Sequence, residues 1–327
     1  MISRPGSTLQ LRGSAITSVG QVRSHNEDNV HLWHREGMML AIVADGMGGA
    51  AAGEEASRIA VETITHHLHV EHQTPGFEMP ESELRRAVQA ANTSIIQETE
   101  ARPQTRGMGT TLTMAFVHGR EARFAHVGDS RAYRVNRDGM IQQITSDHSF
   151  VQALLEAGHI TEEEAERHPM GNVLYRALGQ TEELDVDTHY AVLSVGDKVI
   201  LCSDGLTRHV RTREIAQIAH QHDNPDQIAH LLVDLANERG GEDNITVVAI
   251  VVEENPNVQK RQTDSAFEDE DTIILNTTSR RFNDFRGAQA PTAYRESCDS
   301  FAARESVVAY VGGGFGGTED IRRPLDQ

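Results

Sequence analysis

Short acidic motifs recur along the chain where apolar runs give way to polar ones. They read RSHNED at 23–28, ADGMGG at 44–49, VGDS at 127–130, CSDG at 202–205 and GEDN at 241–244. Any one of them alone is compatible with an ordinary turn, because Asp and Gly are common turn residues. Asp45 and Asp204 are more specific. Each follows a run of apolar β-formers and directly precedes a glycine, which lets backbone approach a bound group closely.

Carboxylates at the ends of two buried strands predict a cation site. Ionised carboxylates are costly to bury unless a positive charge compensates them. Carboxylate oxygens, backbone carbonyls and water are the ligands that Mg²⁺ and Mn²⁺ prefer. As a set, the acidic motifs therefore indicate a centre for hard divalent cations.

The segment LCSDGLTR, residues 201–208, also allows a different chemistry. Its Cys-x-x-Gly-x-x-Arg spacing is that of a thiolate phosphatase loop, with Cys202 as nucleophile and Arg208 as phosphate clamp. Such a loop needs positive charge and backbone N–H groups around the thiolate, whereas Asp204 inside it would repel phosphate and raise the thiol pKa. We therefore interpret Cys202 as a core residue. Arg208 is expected near a helix start, in either a surface ion pair or a substrate contact.

Composition excludes several classes of function. The 327 residues carry a formal net charge of −19, which argues against nucleic acid or an anionic membrane as partner. The only cysteines, Cys202 and Cys298, cannot form a disulfide framework, and this fits a reducing compartment. The N-terminus lacks the apolar run of a signal peptide, and MMLAIVA and VVAIVV are too short to span a bilayer. We expect a soluble, cytoplasmic protein.

The elements that position these motifs follow from hydrophobic periodicity. Strand-like runs separated by turn signals are AITSVGQV, MMLAIVA, GTTLTMAFV, EARFAHV, RAYRV, MIQQI, ELDVDTHYAV, DKVILC and NITVVAIVV. Helical periodicity covers residues 54–69 and 81–100, HSFVQALLEAG, TEEEAERH, TREIAQIAHQH and PDQIAHLLVDLANERG. Tight turns between consecutive strands predict antiparallel pairing, and helices in pairs predict an α+β fold instead of a doubly wound sheet.

Composition also divides the chain into three parts. Residues 14–252 read as one packed domain, preceded by an N-terminal segment at 1–13. Residues 253–327 are acidic, then patternless, then glycine-rich, and we expect a disordered or loosely docked C-terminal tail.

Taken together, the motifs resemble those of a known family. Eight motifs carry the resemblance, in chain order RSHNED, ADGMGG…AAGEEAS, GTTLT, VGDSRAY, TSDHSFVQALLEAGHITEEEAERHP, NVLYRALG, LCSDGLT and GEDNITVV. They resemble, in the same order, motifs of the metal-dependent Ser/Thr protein phosphatases, the PPM or type 2C phosphatases, and are most similar to those of the bacterial branch. The resemblance covers roughly residues 14–252. It implies a central β-sandwich of two antiparallel sheets flanked by pairs of helices, with a dinuclear metal site at one edge. It also implies hydrolysis of phosphoserine and phosphothreonine in proteins, opposing Ser/Thr kinases.

The resemblance assigns the main metal ligands by position. Asp45 resembles the carboxylate that bridges two Mn²⁺ or Mg²⁺ ions, and the Gly46 carbonyl would contact the second ion. Asp204 and Asp243 resemble ligands of the first ion.

Further roles follow in the same way. Glu27 and Asp28 are expected near the second metal, directly or through water. Asp129 resembles the residue that, with Asp204, holds a third, weaker metal in bacterial members. Arg23 resembles the guanidinium that clamps the substrate phosphate, a role that its bidentate fork suits.

The resemblance also implies a mechanism. A water shared by the two ions loses its proton near neutral pH, and the hydroxide attacks the phosphate in line without a phosphoenzyme. Animal members have a His beside the bridging carboxylate as proposed general acid, whereas this chain, like bacterial relatives, has Met47. His148 is an alternative donor if its loop folds over the site; otherwise Asp147-His148 caps the following helix. Residues 147–179 resemble the family's flap, which shapes the substrate entrance.

Two other functions stay open, namely a Cys202-dependent phosphatase and a catalytically silent adaptor. The expected partners are phosphorylated proteins that are substrates of a cognate Ser/Thr kinase, and nothing requires more than a monomer. In the tail, Thr272 within FEDEDTIIL resembles a kinase site read by phosphothreonine-binding forkhead-associated modules. The alternative interpretation of this stretch is a solvated acidic run.

Overall fold

Two antiparallel β-sheets lie face to face, with helices on their outer faces. The structure is a computed structural model and describes residues 9–35, 37–69, 79–165 and 167–255. This architecture confirms the α+β sandwich predicted from the sequence. The predicted tail, apart from its first residues, lies outside the described residues.

The first sheet brings together the two ends of the described chain. Its spatial order is β1 (Leu9–Ser18), β11 (Ile245–Glu254), β10 (Lys198–Cys202), β7 (Arg131–Val135) and β8 (Ile141–Gln143). β1 pairs with β11 along its whole length, from Leu9 opposite Glu254 to Ser18 opposite Ile245.

The second sheet is built around one long central strand. Its order is β2 (Asp28–Arg35), β3 (Met38–Met47), β5 (Leu112–His118), β6 (Glu121–Val127) and β9 (Asp187–Val192). The short strand β4 (Gly109–Thr110) pairs with the last residues of β3, with Thr110 opposite Gly46.

Helices cover both outer faces. The longest pair, α1 (Ala50–Leu68) and α2 (Glu81–Ala101), packs on the second sheet, and α6 (Thr212–Gln221) and α7 (Pro225–Glu238) pack on the first. The segment between β8 and β9 holds α3 (Phe150–Glu156) and α4 (Glu162–Ala165), and α5 (Asp204–Thr207) is a single turn that follows β10.

The alternation of side chains along β3 explains its unbroken apolar sequence. Met39, Ala41 and Val43 belong to the core between the two sheets. The intervening residues pack instead against α1 and α2; they are Met38, Leu40, Ile42 and Ala44. Because successive strand residues point to opposite faces and both faces are covered, every position from Met38 to Ala44 is apolar.

The strand predictions differ from the structure at the first sheet's edge and at β2. β1 begins at Leu9 and its ladder with β11 runs to Glu254, so paired residues continue past the predicted boundaries after residues 13 and 252. β2 was not predicted from the sequence. It is an edge strand that pairs with β3 alone, and most of its side chains are half-buried, so DNVHLWHR carries little apolar signal. Among the described residues, no helix is long and apolar enough to cross a bilayer.

Candidate active site

The acidic motifs meet at one edge of the sandwich because several strands begin or end there. Asp45 lies near the end of β3 and is paired in register with Asp28 at the start of β2. Asp204 follows β10, and Asp243 precedes β11, the antiparallel neighbour of β10. Antiparallel neighbours bring the end of one strand beside the start of the next, so these residues converge although they are far apart in sequence.

A cavity of about 350 Å³ opens at this edge. Seven of the eight residues predicted for the site line it: Arg23, Glu27, Asp45, Gly46, Asp129, Asp204 and Asp243. The eighth, Asp28, is nearly fully buried beside Asp45. Asn172 and Leu174, from the segment predicted to resemble a flap, also line the cavity.

Two glycines allow the segments to approach this closely. A Cβ atom on Gly46 would lie 2.0 Å from the Gly53 carbonyl oxygen, and one on Gly205 would lie 2.0 Å from the Asn244 carbonyl oxygen. Real side chains do not tolerate such distances to backbone. Backbone packing at the site therefore requires the glycine of each Asp-Gly pair noted in the sequence.

Asp28 connects the two sheets beneath the site. Its Oδ2 accepts hydrogen bonds from Ser203 Oγ at 2.8 Å and Thr246 Oγ1 at 2.6 Å, both contributed by the first sheet's side of the sandwich. Its Oδ1 is buried and has no hydrogen-bond partner. Burial raises the pKa of Asp28 to about 7, although the two hydroxyl hydrogen bonds oppose that shift.

Asp45 is held through its backbone, which leaves its carboxylate in the cavity. Its N–H donates to Thr111 Oγ1 at 3.0 Å, and its carbonyl accepts from Thr111 N at 2.8 Å and Thr110 Oγ1 at 2.9 Å. Burial, followed by the negative charges of neighbouring aspartates, raises the pKa of Asp45 well above its ordinary value. Burial likewise raises the pKa of Asp129 to about 8, and the charge of Asp204 adds to this shift.

Two arginines offset part of this negative charge. Arg23 donates from Nη2 to Asp243 Oδ2 at 2.9 Å. Arg208 forms an ion pair with Asp204 and places Nη1 3.4 Å from Asp243 Oδ2, so one guanidinium links two carboxylates. Within the described ranges, no three His, Cys, Asp or Glu side chains stand in a ready-made ligand cluster.

The residues present nevertheless suit Mn²⁺ or Mg²⁺ in their chemistry. The available donors are carboxylate oxygens and the Gly46 carbonyl, all of them hard ligands. Buried oxygens without hydrogen-bond partners are costly, and two occur here, Asp28 Oδ1 and Asp204 Oδ1. A divalent cation would satisfy such oxygens and offset the burial and the mutual repulsion that raise the pKa values of these aspartates.

Cys202 lies in the core, away from this chemistry. It is fully buried on β10 within the apolar cluster that faces α6 and α7. Burial raises the pKa of its thiol to about 12. A neutral thiol with no access to the cavity cannot serve as the nucleophile, and the thiolate alternative has no support.

His148 faces the protein interior. Its Nδ1 accepts from the Gly128 N–H at 3.1 Å, which places the ring proton on Nε2, 3.2 Å from Asp187 Oδ2. The helix cap is Ser149, whose Oγ accepts from Gln152 N at 3.2 Å. His148 thus anchors the start of the segment to β6 and β9, which differs from both interpretations made from the sequence.

Arg208 is the cavity residue whose role the sequence left open. A usable signal was present, because Asp204 and Arg208 are four residues apart, the spacing of an ion pair on a helix. The sequence allowed an ion pair for Arg208 but did not identify Asp204 as its partner, because the single turn of α5 is too short to reveal helical periodicity. Arg208 lies at the end of this turn, so the prediction of a position near a helix start was wrong.

A comparison with family models places the chain in a family. The model of the protein phosphatase 2C family matches residues 17–237. The chain belongs to the protein phosphatase 2C family. This confirms the resemblance stated from the sequence motifs.

Relatives within the protein phosphatase 2C family include two curated bacterial proteins. Serine/threonine protein phosphatase PstP of Mycobacterium tuberculosis is 41% identical over 241 residues, which is 74% of this chain and 45% of that protein. The chain therefore spans about half the length of that relative. Serine/threonine phosphatase stp of Listeria monocytogenes is 38% identical over 235 residues, which is 72% of this chain and 93% of that protein.

A solved structure of the family has the same fold. The crystal structure of the catalytic domain of PstP in complex with two manganese ions is 38% identical, with a TM-score of 0.68, and the match covers 76% of this chain and all of that domain.

Proposed function

We propose that this protein is a metal-dependent protein serine/threonine phosphatase that hydrolyses phosphoserine and phosphothreonine in proteins. The observation that carries the proposal is the convergence of carboxylates from separate strand ends on one cavity, with Arg23 beside them. Membership of the protein phosphatase 2C family supports it, as do the names of the bacterial relatives.

The chain supplies ligands for two cations. Asp45 and the Gly46 carbonyl, with Asp204 and Asp243, would hold the pair. When bound, Mn²⁺ or Mg²⁺ ions supply positive charge that activates water and stabilises the phosphoryl oxygens.

The remaining acidic residues have supporting roles in the proposal. Glu27 and Asp28 would complete the surroundings of the second ion, and Asp129 with Asp204 would hold a weaker third ion. Asp28 also keeps the two strand ends together through Ser203 and Thr246.

Arg23 is the proposed phosphate clamp. Its side chain is 48% exposed, and a single nitrogen contacts Asp243, so the guanidinium has further donors for an incoming phosphate. A planar fork of donors binds two phosphoryl oxygens at once and orients the phosphorus toward the carboxylates beneath. The acidic residues behind Arg23 would otherwise repel the phosphate dianion.

Hydrolysis of a phosphothreonine peptide by the full chain tests the proposal. Turnover should be lost in EDTA, return with Mn²⁺, and survive thiol alkylation. Asp204→Asn should remove turnover, whereas Cys202→Ser, only two residues away, should retain it. Loss on alkylation alone would instead indicate the thiol, and no turnover under any condition would indicate an adaptor.

The physiological partners are also part of the proposal. We expect phosphorylated proteins that a cognate Ser/Thr kinase modifies, and a phosphoproteome with and without the protein would identify them. A cytoplasmic location and a monomeric state are carried over from the sequence, and fractionation and light scattering test them.

Thr272 is proposed as a phosphorylation site read by a forkhead-associated module. It lies in FEDEDTIIL, outside the described residues, and the proposal rests on the acidic setting with Leu275 three residues on. Mass spectrometry after co-expression with a partner kinase should find Thr272 phosphorylated. A consistently unmodified Thr272 would favour the alternative interpretation of this stretch as a solvated acidic run.

A further inference from the structure

Arg208 lies among the residues proposed to hold the cations. It follows α5 directly, one helical turn after Asp204, and lines the same cavity as Asp129 and Asp243. Its side chain is 31% exposed, less than that of Arg23 at 48%. Its positive charge acts on Asp129 as well, because it opposes the rise in the pKa of that carboxyl.

The contacts of Arg208 use oxygen atoms that a cation would also need. Its guanidinium is paired with Asp204 Oδ2 and lies 3.4 Å from Asp243 Oδ2. The other oxygen of Asp243 accepts the N–H of Asn244 at 2.9 Å, and Asp243 Oδ2 also receives Arg23 at 2.9 Å. Asp204 Oδ1 is free of hydrogen bonds, but both oxygens of Asp243 have partners. A divalent ion that joins the two carboxylates therefore has to share or displace a guanidinium at Asp243, and its charge and that of Arg208 repel each other.

We propose that Arg208 competes with the divalent cation for Asp204 and Asp243 and thereby weakens cation binding at this pair. The inference rests on the proposed function, because it assumes that these carboxylates are metal ligands. Arg208 would thereby help to set the metal concentration at which the site fills. A purely structural role would act in the opposite direction, since loss of a supporting residue would disorder the carboxylates and weaken cation binding.

Isothermal titration calorimetry of Mn²⁺ into the full chain tests the proposal. Arg208→Gln and Arg208→Met remove the charge. Each variant should bind Mn²⁺ roughly fivefold more tightly, because the ion no longer competes with a partly exposed ion pair of that strength. Arg208→Lys keeps the charge and should stay close to the unsubstituted protein. Arg58→Gln is the matched control, because Arg58 on α1 also bridges two carboxylates, Glu55 and Glu62, but does not line the cavity.

The outcomes separate this inference from the function on which it rests. Tighter binding by both neutral variants, with no change in Arg58→Gln, supports the competition. Unchanged or weaker binding by the neutral variants overturns it, provided that circular dichroism spectra match the unsubstituted protein for at least one of them. Failure of the unsubstituted protein to bind Mn²⁺ at all would overturn the proposed function, and the inference with it.

Discussion

Asp28 and Asp45 form a cross-strand pair in which like charges face each other. Such pairs destabilise a sheet, and burial makes the charged forms costlier still, which is why the pKa of both carboxyls is raised. A protein that keeps this arrangement loses stability locally, which is common where residues serve chemistry instead of folding.

Asp45→Asn should separate activity from stability. The substitution keeps the volume but removes the charge proposed to bridge two ions, so kcat on a phosphothreonine peptide with Mn²⁺ should fall on the order of a hundredfold or more. In EDTA the same variant should melt at an equal or higher temperature, because a source of repulsion is gone. Wild-type turnover would defeat the bridging role, and a lower melting temperature would contradict the account of repulsion.

Thr246→Val should destabilise the protein through Asp28. The change removes the 2.6 Å hydrogen bond to Asp28 Oδ2 and a 2.8 Å contact with Thr17 Oγ1, so Asp28 Oδ2 keeps only Ser203 as a hydrogen-bond partner. We expect a loss of about 1–3 kcal/mol in the free energy of unfolding, measured by urea denaturation. Thr246→Ser keeps the hydroxyl and should recover most of that loss; equal losses in both variants would assign the effect to packing.

At the scale of elements, the turn from β10 into α5 depends on backbone packing against the residues before β11. Gly205→Ala places a methyl group 2.0 Å from the Asn244 carbonyl oxygen, so one of the two segments must move. We expect a loss of about 1–3 kcal/mol in the free energy of unfolding, together with weaker Mn²⁺ binding.

Gly171→Ala is the matched control for this change. Gly171 also lacks a positive φ, and its closest neighbour to an added Cβ is the His168 carbonyl oxygen at 3.3 Å. The Gly171→Ala variant should keep a stability and a Mn²⁺ affinity near those of the unsubstituted protein. Equal losses in Gly205→Ala and Gly171→Ala would contradict the steric argument.

The elements that could be predicted from the sequence are those covered on both faces or strongly periodic. Residues 38–44 of β3 and residues 247–252 of β11 read as unbroken apolar runs, and α2 and α7 have a clear helical period. β2 escaped prediction because an edge strand with half-buried side chains has no such pattern.

The site shows the same division between local and long-range information. Asp45 and Asp204 could be singled out, since their signal is local: an apolar run, then Asp-Gly. The hydrogen bond that joins Asp28 to Thr246 could not, because 218 positions separate them and only the fold brings them together. The inward orientation of His148 depends equally on packing against β9.

At the scale of the whole molecule, buried histidines make the fold sensitive to acid. His126 is fully buried, with Nδ1 2.9 Å from Thr113 Oγ1 and Nε2 3.1 Å from the Ser146 carbonyl oxygen. Burial lowers the pKa of His126 from 6.5 to about 3. Between these values the unfolded chain binds a proton that the folded protein does not, so the stability contributed above pH 6.5 is lost as the pH falls toward 3.

His126→Gln should reduce this pH dependence. The free energy of unfolding, measured by urea denaturation from about pH 7 to pH 4.5, should fall less steeply in the variant than in the unsubstituted protein. His230→Gln is the control, since His230 is an exposed residue on α7. Equal slopes for the unsubstituted protein and His126→Gln would contradict a neutral buried imidazole.

The full-length pairing of β1 with β11 determines where the chain leaves the domain. β11 starts beside the aspartates and finishes at Glu254, opposite Leu9. Ten residues of extended strand measure about 34 Å, so the Glu254 end of β11 lies about that far from the aspartates. A partner bound close to Glu254 would therefore lie about one strand length from the cavity and leave its entrance clear.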